Sequence, residues 1–111
     1  MCGNQIVSEQ LSPGQKYKIV IFVRDCGATT GFSTQVSILK SDKELRDDES
    51  GNVLTLSDHY FGDYRNKYGG AEVKAEWTSN KTISIHFDSK ADSGSKKYKA
   101  NGIEIVYGEI R

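Results

Sequence analysis

The chain has 111 residues, of which 36% are hydrophobic and 27% are charged. That length suits one domain with a modest core. Basic and acidic side chains both number 15, so the formal net charge is zero. This balance argues against direct nucleic-acid binding, because such proteins usually carry a basic excess. No apolar run reaches the ~18 residues that span a bilayer, so we expect no membrane contact unless Cys2 is lipidated.

Residues 1–12 are expected to form a less ordered segment at the start of a single β domain spanning residues 1–111. The almost continuous apolar run at 17–24 predicts a central strand buried on both faces. Residues 32–39 alternate between apolar and polar, which predicts a strand with one wet face. In the charged connection that follows, Ser41 and Glu44 have the spacing that caps a single helical turn.

The second half of the chain is typical of short strands joined by turns. A brief apolar run at 53–56 precedes an aromatic, glycine-containing loop at 57–70. Alternating residues then predict two amphipathic strands joined by a hairpin at 78–81. A lysine-rich loop at 88–99 leads to the turn dipeptide Asn101-Gly102 and a final strand. With little helix and no βαβ spacing, this pattern predicts an all-β fold, either an antiparallel β-sandwich or a strongly curved sheet of six to eight strands.

The junction between the first two predicted strands combines glycines, a charged pair, a thiol and threonine hydroxyls. Arg24 and Asp25 are adjacent, so on an extended strand they point to opposite sides, and each should find another partner. We expect a buried Asp25 to accept loop N–H groups and the glycines to take positive φ values. The segment is interpreted as a structural corner built from Arg24, Asp25, Cys26, Gly27, Thr29, Thr30 and Gly31.

Cys26 is the candidate nucleophile of this corner, since a thiolate beside a histidine base can carry covalent catalysis. The available bases are His59 and His86, and neither has a spacing that demands contact with Cys26. The alternative, which we favour, is a small buried residue at a tight strand end. A disulfide between Cys2 and Cys26 is possible in number, but two cysteines do not make a disulfide framework, and both are expected to be reduced thiols if the protein is cytoplasmic.

Cofactor and metal chemistry have little support in the sequence. The cysteines and histidines lack the paired spacing of a zinc site, and the acidic run at 42–49 lacks the pattern of a calcium loop. The glycine-bracketed segment 27–31 precedes a strand rather than the helix that phosphate loops usually open. We therefore expect no cofactor and no metal site, and we predict that the protein is not an enzyme.

An acidic segment at 42–49 is followed by a loop in which carboxylates alternate with aromatic residues, a composition that suits a surface for a basic protein partner. Tyrosine offers a large contact area at low entropic cost. The alternative is a pair of solvated loops whose aromatic rings pack into the core. We predict a partner-binding surface formed by Asp42, Glu44, Asp47, Asp48, Glu49, Asp58, Tyr60, Asp63 and Tyr64.

The segment 22–39, FVRDCGATTGFSTQVSIL, resembles a signature of small bacterial proteins, several of them lipoprotein-like. The start Cys2-Gly3-Asn4-Gln5 is similar to the mature start of a bacterial lipoprotein. The resemblance implies a bacterial origin and carries no activity. By type, a small β-rich chain without a catalytic set resembles the immunity proteins that block a cognate toxin, which is an analogy of fold rather than of motif.

These expectations combine into one hypothesis with two alternatives. The chain is predicted to be a cytoplasmic, non-enzymatic immunity protein that binds and blocks a cognate toxin domain, and its acidic surface would suit a basic nuclease toxin. The alternatives are an envelope lipoprotein domain anchored through Cys2 and a small thiol enzyme that uses Cys26.

Overall fold

The structure, a computed structural model, describes residues 2–27 and 31–110. Thr29 and Thr30, two members of the predicted corner, lie outside these ranges. The described residues form nine strands and no helix. The strands are β1 (Gly3–Leu11), β2 (Tyr17–Asp25), β3 (Ser33–Lys40), β4 (Leu54–Leu56), β5 (Val73–Ser79), β6 (Thr82–Phe87), β7 (Ser93–Lys96), β8 (Lys99–Ala100) and β9 (Ile103–Glu109).

The strands form two sheets, which confirms the all-β prediction. One sheet has five strands in the order β1-β2-β3-β4-β7, and the other has four in the order β5-β6-β9-β8. The strand number exceeds the predicted six to eight because the segment expected to be less ordered contributes β1 and the predicted lysine-rich loop with its flank contributes β7 and β8. The helical turn expected at Ser41 and Glu44 does not form. Instead, the Lys43 N–H donates to the Lys40 carbonyl in a turn at the end of β3.

Residues 3–11, expected to be less ordered, form the edge strand β1. They pair with β2 from Gly3 opposite Asp25 to Leu11 opposite Lys18. Most β1 side chains are exposed, so the segment lacks the regular apolar pattern from which a strand is predicted. Backbone pairing with the buried strand β2 therefore orders residues 3–11, although their side chains do not show the pattern of a strand.

β2 is the central strand that its apolar run predicted. Residues 19–23 are all buried, and because consecutive residues face opposite sides of a sheet, β2 is covered on both faces. The second sheet covers the inner face. The connection 41–53 lies over the outer face, where its backbone donates to the side chains of Gln35 and Ser37 on β3. The polar face of β3, expected to be wet, is therefore buried, as is the neighbouring Phe22.

One hydrophobic core lies between the two sheets, so the arrangement is a sandwich. Full burial of each aliphatic or aromatic side chain in such a core stabilises the fold by about 1.5–3 kcal/mol. The five-stranded sheet contributes Ile19, Ile21, Val36, Ile38, Leu54 and Leu56, and the four-stranded sheet contributes Val73, Ile83, Ile85, Phe87, Ile103 and Ile105.

The four-stranded sheet contains a parallel pair, which corrects the prediction of a purely antiparallel fold. β6 and β9 run side by side in the same direction, from Thr82 opposite Glu104 to Phe87 opposite Glu109. Between them the chain leaves the sheet, pairs as β7 with β4 in the opposite sheet, and returns through the β8–β9 hairpin. This crossover supplies the long connection that parallel neighbours require.

Two predicted turns are confirmed. Asn101 and Gly102 have positive φ values of 53° and 75°, which a two-residue hairpin such as the one between β8 and β9 requires. The β5–β6 hairpin also turns within 78–81, as predicted. Both turns border one cleft with the β1–β2 loop, so the corner after β2 lies at the opposite end of the sandwich. No helix in the described part of the chain is long and apolar enough to cross a membrane.

Candidate functional site

Arg24 connects three segments at the end of β2. Its Nη1 atom lies 2.6 Å from the carbonyl oxygen of Glu49, 2.9 Å from Oδ1 of Asn4 and 3.0 Å from the carbonyl oxygen of Asp47. A guanidinium donates several hydrogen bonds in a fixed plane, so one side chain joins β1, β2 and the charged connection. The prediction that Arg24 and Asp25 find separate partners is therefore confirmed.

Gly27 has the positive φ expected of it, and Asp25 accepts a loop N–H as predicted, although it is half-buried rather than buried. Asp25 is half-buried, and its Oδ1 accepts the Gly27 N–H at 3.1 Å. Gly27 has a φ of 137°, which disfavours any residue with a Cβ. Gly31 allows the backbone of the corner to approach that of Asp58 closely, because a Cβ at position 31 would lie 2.6 Å from the carbonyl oxygen of Asp58.

The two cysteines form a disulfide between Cys2 and Cys26, so the prediction of two reduced thiols is wrong. The bond lies directly beyond the last backbone pair of β1 and β2, Gly3 opposite Asp25. Cys26 is exposed rather than buried, which corrects the second expectation for it. The sequence could not reveal the pairing, because it depends on β1, which the apolar pattern did not predict.

The acidic part of the predicted partner surface is bound against the corner. Asn4 donates its backbone N–H to Oδ1 of Asp47 at 3.1 Å, and its side-chain amide donates to the carbonyl oxygens of Arg46 and Glu49, both at 2.8 Å. Asp48 forms an exposed ion pair with Arg46. The structure therefore gives Asp47 and half-buried Glu49 a structural role and leaves Asp48 at the surface. Asp42 and Glu44 are also exposed.

Tyr60 does not lie on a contact surface, which corrects its assignment. Its side chain is buried, and its hydroxyl donates to Oδ2 of Asp88 at 2.6 Å while accepting the Tyr64 N–H at 3.0 Å. Burial raises the pKa of Tyr60, and its hydrogen bond to Asp88 adds to that shift. The same hydrogen bond, together with the Lys90 N–H, lowers the pKa of the Asp88 carboxyl. The phenol is therefore a buried anchor for the loop 57–72.

Two further side chains brace this loop from within. Arg65 donates to the carbonyl oxygens of Tyr60 and Gly69, at 2.6 and 2.8 Å, and its guanidinium lies over the Tyr60 ring. Asn66 accepts the N–H groups of Tyr68 and Gly70 through Oδ1. The loop is thus held by the buried Tyr60–Asp88 hydrogen bond, by further side-chain hydrogen bonds and by an isolated bridge between Arg65 and Ala71, so its outward side chains are presented from a fixed backbone.

The outward side chains form a surface that we call the aromatic tip, made of Phe32, Phe61 and Tyr64 with Asp58 and Asp63 beside them in sequence. The exposed fractions of Phe61, Phe32 and Tyr64 are 88%, 43% and 43%. Asp58 joins the two loops, because its Oδ2 accepts the Gly31 N–H at 3.3 Å. Tyr64 and Asp63 are exposed as predicted. The two phenylalanines were missed, although Phe61 lies within the loop already selected for its tyrosines.

The histidines do not complete a thiol site in the described residues. His59 is exposed, with Nε2 3.4 Å from Oδ1 of Asp58. His86 lies on the outer face of the four-stranded sheet, where Nδ1 is 3.4 Å from Oγ of Ser84. Its ring lies against Gly108, since a Cβ there would come within 2.6 Å of the imidazole. The described residues also contain no group of three or more His, Cys, Asp or Glu side chains placed to hold a metal ion.

Comparison of the chain with models of known protein families, with curated proteins and with solved structures gives no match. The function is therefore argued from the chemistry of these surfaces alone.

Proposed function

We propose that the chain is a non-enzymatic domain that binds a protein partner through the aromatic tip. The observation that carries the proposal is Phe61, whose side chain is 88% exposed on a loop that the buried Tyr60–Asp88 hydrogen bond and the Arg65 guanidinium hold in place. A large apolar ring in water stabilises nothing in the isolated chain. Its burial in a partner would contribute a large share of the binding free energy, because aromatic anchors dominate interface energetics.

The bracing of the loop supports this use. A binding surface that is already ordered loses less conformational entropy on association than a flexible one. The Asp88–Tyr60 hydrogen bond and the two Arg65 donations fix the backbone on both sides of Phe61. The loop therefore resembles a preorganised binding element more than a simple connection between strands.

The carboxylates of Asp58 and Asp63 beside the aromatic tip would meet basic groups of a partner, and Arg65 and Lys67 of the same loop would meet acidic ones. Asp58 and Asp63 lie in the same loop as Phe61. Exposed Asp48 lies in the connection 41–53, which covers the outer face of the five-stranded sheet. Rim charges of this kind act mainly on the association rate and its salt dependence. Blocking of a basic toxin domain, as an immunity protein does, remains the most concrete form of the proposal. Asp48 and Asp63 are better charge-reversal sites than Asp47, which also receives a backbone hydrogen bond.

The disulfide supports a site of action outside the cytoplasm. Disulfides persist in oxidising compartments and are rare where glutathione and thioredoxin keep thiols reduced. The Cys2–Cys26 bond therefore favours an exported protein over the cytoplasmic location expected from the sequence. A blocking protein must share a compartment with its target, so the proposed toxin would act on the cell envelope rather than on nucleic acid.

The test is site-specific photo-crosslinking in the native bacterial host. A photoreactive residue at position 61 is expected to give one discrete protein adduct, whereas the same residue at Val106 should give none. Val106 is a matched control because it is 58% exposed and lies on the other sheet. Phe61→Ala should then weaken binding of the purified adduct partner by about thirtyfold or more, the effect of a hot-spot residue. Equal adducts from both positions, or an unchanged affinity, would show that the aromatic tip is not the binding surface.

The lipoprotein alternative concerns Sγ of Cys2, one of the two sulfur atoms of the disulfide. A lipid anchor at Cys2 would form a thioether through Sγ, and that atom is bonded to Cys26 in the structure. The two states therefore exclude each other on one chain. Intact-mass measurement of the protein from its host separates them, since a disulfide lowers the mass by two hydrogens and a diacylglyceryl group raises it by hundreds of daltons.

The thiol-enzyme alternative is subject to the same constraint. A disulfide sulfur is not a nucleophile, so covalent catalysis by Cys26 would first require reduction of the bond. Labelling with iodoacetamide before and after reduction measures whether a reactive thiol exists. Rapid labelling of the untreated native protein at Cys26 would support the enzyme.

A further inference from the structure

Three aromatic rings surround the ammonium group of Lys96. Nζ lies 4.7 Å from the ring centroid of Tyr107, 5.6 Å from that of Tyr98 and 5.7 Å from that of Phe87. The rings contact one another edge to face, with centroids 6.1 Å apart for Phe87 and Tyr107 and 5.3 Å apart for Tyr98 and Tyr107. Ring faces attract a cation within about 6 Å of their centroids. We call these three rings the aromatic cage.

Two rings of the aromatic cage come from the four-stranded sheet, Tyr98 lies between β7 and β8, and Lys96 reaches the cage from the five-stranded sheet. Phe87 ends β6 and Tyr107 lies on β9, its parallel neighbour, while Lys96 ends β7 in the opposite sheet. The Tyr107 hydroxyl donates to the Lys97 carbonyl at 2.5 Å, and the Ile105 N–H donates to the Tyr98 carbonyl at 2.9 Å. These hydrogen bonds fix two of the walls, so the cage does not depend on Lys96 alone.

Lys96 is exposed, and the described residues place no carboxylate within 4 Å of its Nζ, so ring faces and solvent surround the ammonium group. A primary ammonium has three N–H donors and normally satisfies them with oxygen. Ring faces attract its charge but accept hydrogen bonds only weakly. A cation without N–H groups, such as a quaternary ammonium, would lose no hydrogen bonds on entering the same space.

An open cleft of about 340 Å³ adjoins the aromatic cage and is lined in part by Phe87, Tyr107, Asp92 and Glu109. The cleft, which Lys96 also lines, gives a path from solvent to the cage, and the two carboxylates favour the approach of a positive ligand. The aromatic cage and the adjoining cleft are separate from the aromatic tip, which belongs to other loops.

We propose that the aromatic cage is a binding site for a quaternary ammonium group and that Lys96 is its resident occupant, displaced when the ligand enters. Lys96 thus serves two purposes. It closes the edge of the sandwich in the free protein, and it competes with the ligand at the high effective concentration of an intramolecular group. The alternative is that Lys96 only joins the two sheets and that the cage admits nothing else.

The experiment titrates tetramethylammonium chloride into the native chain and into Lys96→Ala, following the aromatic ring resonances by NMR. If Lys96 fills the cage about nine-tenths of the time, its removal should tighten binding about tenfold. Lys97→Ala is the matched control, because it removes a neighbouring lysine and leaves the carbonyl that accepts from Tyr107. The neutral isostere 3,3-dimethyl-1-butanol should shift the rings far less, since it has the shape of choline without the charge.

A second measurement uses the native chain and does not depend on the folding of any variant. The ε-methylene protons of Lys96 lie among ring faces, so their resonance should be displaced by ring currents and should move toward that of a free lysine as ligand enters. Absence of ring shifts in Lys96→Ala, or an unmoved Lys96 resonance at saturating ligand, would overturn the proposal. Equal binding of the neutral isostere would overturn its electrostatic basis.

Two further titrations distinguish a small, free quaternary ammonium ligand from a lipid headgroup that carries the same group. Free choline is compared with phosphatidylcholine vesicles, and phosphatidylglycerol vesicles serve as the control. Binding of choline alone identifies a small ligand, and selective sedimentation with phosphatidylcholine identifies a lipid headgroup. Failure of both probes to bind Lys96→Ala overturns the assignment.

Discussion

Nη1 of Arg24 lies 2.6 Å from the carbonyl oxygen of Glu49, so the end of the central strand holds the charged connection against the sheet. The same connection covers the outer face of β2, including fully buried Phe22. Fixing 41–53 in place is therefore a condition for burying the outer side of the core. The corner and the acidic segment, which looked independent in the sequence, form one structural unit.

Removal of this guanidinium should destabilise the protein. Arg24→Ala deletes the donor to Asn4, Asp47 and Glu49 and should lower the free energy of unfolding by about 1.5–3 kcal/mol, the range for hydrogen bonds that involve a charged group. Urea denaturation measures the change. Arg46→Ala is the matched control, because it removes an exposed side-chain pair with Asp48 and keeps the carbonyl that accepts from Asn4, so it should cost about 0–1 kcal/mol. Equal costs for the two variants would contradict the role assigned to Arg24.

Reduction of the disulfide should destabilise the fold without unfolding it at room temperature. The bond closes a loop with a sequence separation of 24, and disulfides typically contribute about 2–4 kcal/mol. Urea denaturation with and without dithiothreitol measures the loss. Hydrogen exchange should accelerate first at the start of β1 and last in residues 19–23, which are buried on both faces.

The double variant Cys2→Ser, Cys26→Ser is the control for the reductant. Its stability should match that of the reduced native chain and should not respond to dithiothreitol. A native chain whose unfolding midpoint is insensitive to reduction would mean that β1 is held by its backbone pairing alone.

Strong local patterns predicted much of the fold. The apolar run of β2, the alternation of β5 and β6 and the Asn101-Gly102 turn each depend on neighbouring residues, so the sequence alone reveals them. β1 was missed because its side chains are mostly exposed. The polar face of β3 was placed in water because Gln35 and Ser37 look solvent-facing until the connection that covers them is known.

The surfaces were harder to predict because they depend on distant partners. Tyr60 was assigned to a binding surface, yet Asp88, 28 residues away, draws its hydroxyl into the interior. Lys96 is exposed, but its contacts with the three rings could not be predicted, because Phe87 and Tyr107 lie on two other strands. No pattern within a short window contains either relationship.

The Tyr60–Asp88 hydrogen bond should make stability depend on acid pH. It is the main reason that the pKa of Asp88 is lower in the folded chain than its ordinary 3.8. The unfolded chain therefore takes up a proton at higher pH than the folded one. The stabilisation is complete above pH 3.8 and is lost as the pH falls toward the folded pKa.

Thermal unfolding between pH 6 and pH 2 tests this dependence. Asp88→Asn should flatten the acid limb of the melting temperature, whereas Asp92→Asn, at an exposed position four residues away, should keep the native profile. Tyr60→Phe should flatten it in part, since the Lys90 N–H remains. An Asp88→Asn variant with the native acid limb would show that another carboxyl carries the dependence.

Tyr107 should make stability depend on alkaline pH with the opposite sign. Burial, with a smaller contribution from Tyr98, raises the pKa of Tyr107 to about 12, so the folded chain keeps the phenol proton at pH values where an unfolded chain loses it. The stabilisation is present below pH 10 and is lost as the pH rises through 12. Absorbance at 295 nm should resolve a late-titrating phenol that is absent from Tyr107→Phe. A late phenol that persists in Tyr107→Phe would assign the titration to Tyr60, whose pKa burial also raises.

The same variant also tests the aromatic cage. Since Tyr107→Phe keeps the ring of the aromatic cage and loses only the donor to Lys97, it should still bind tetramethylammonium in the Lys96→Ala background.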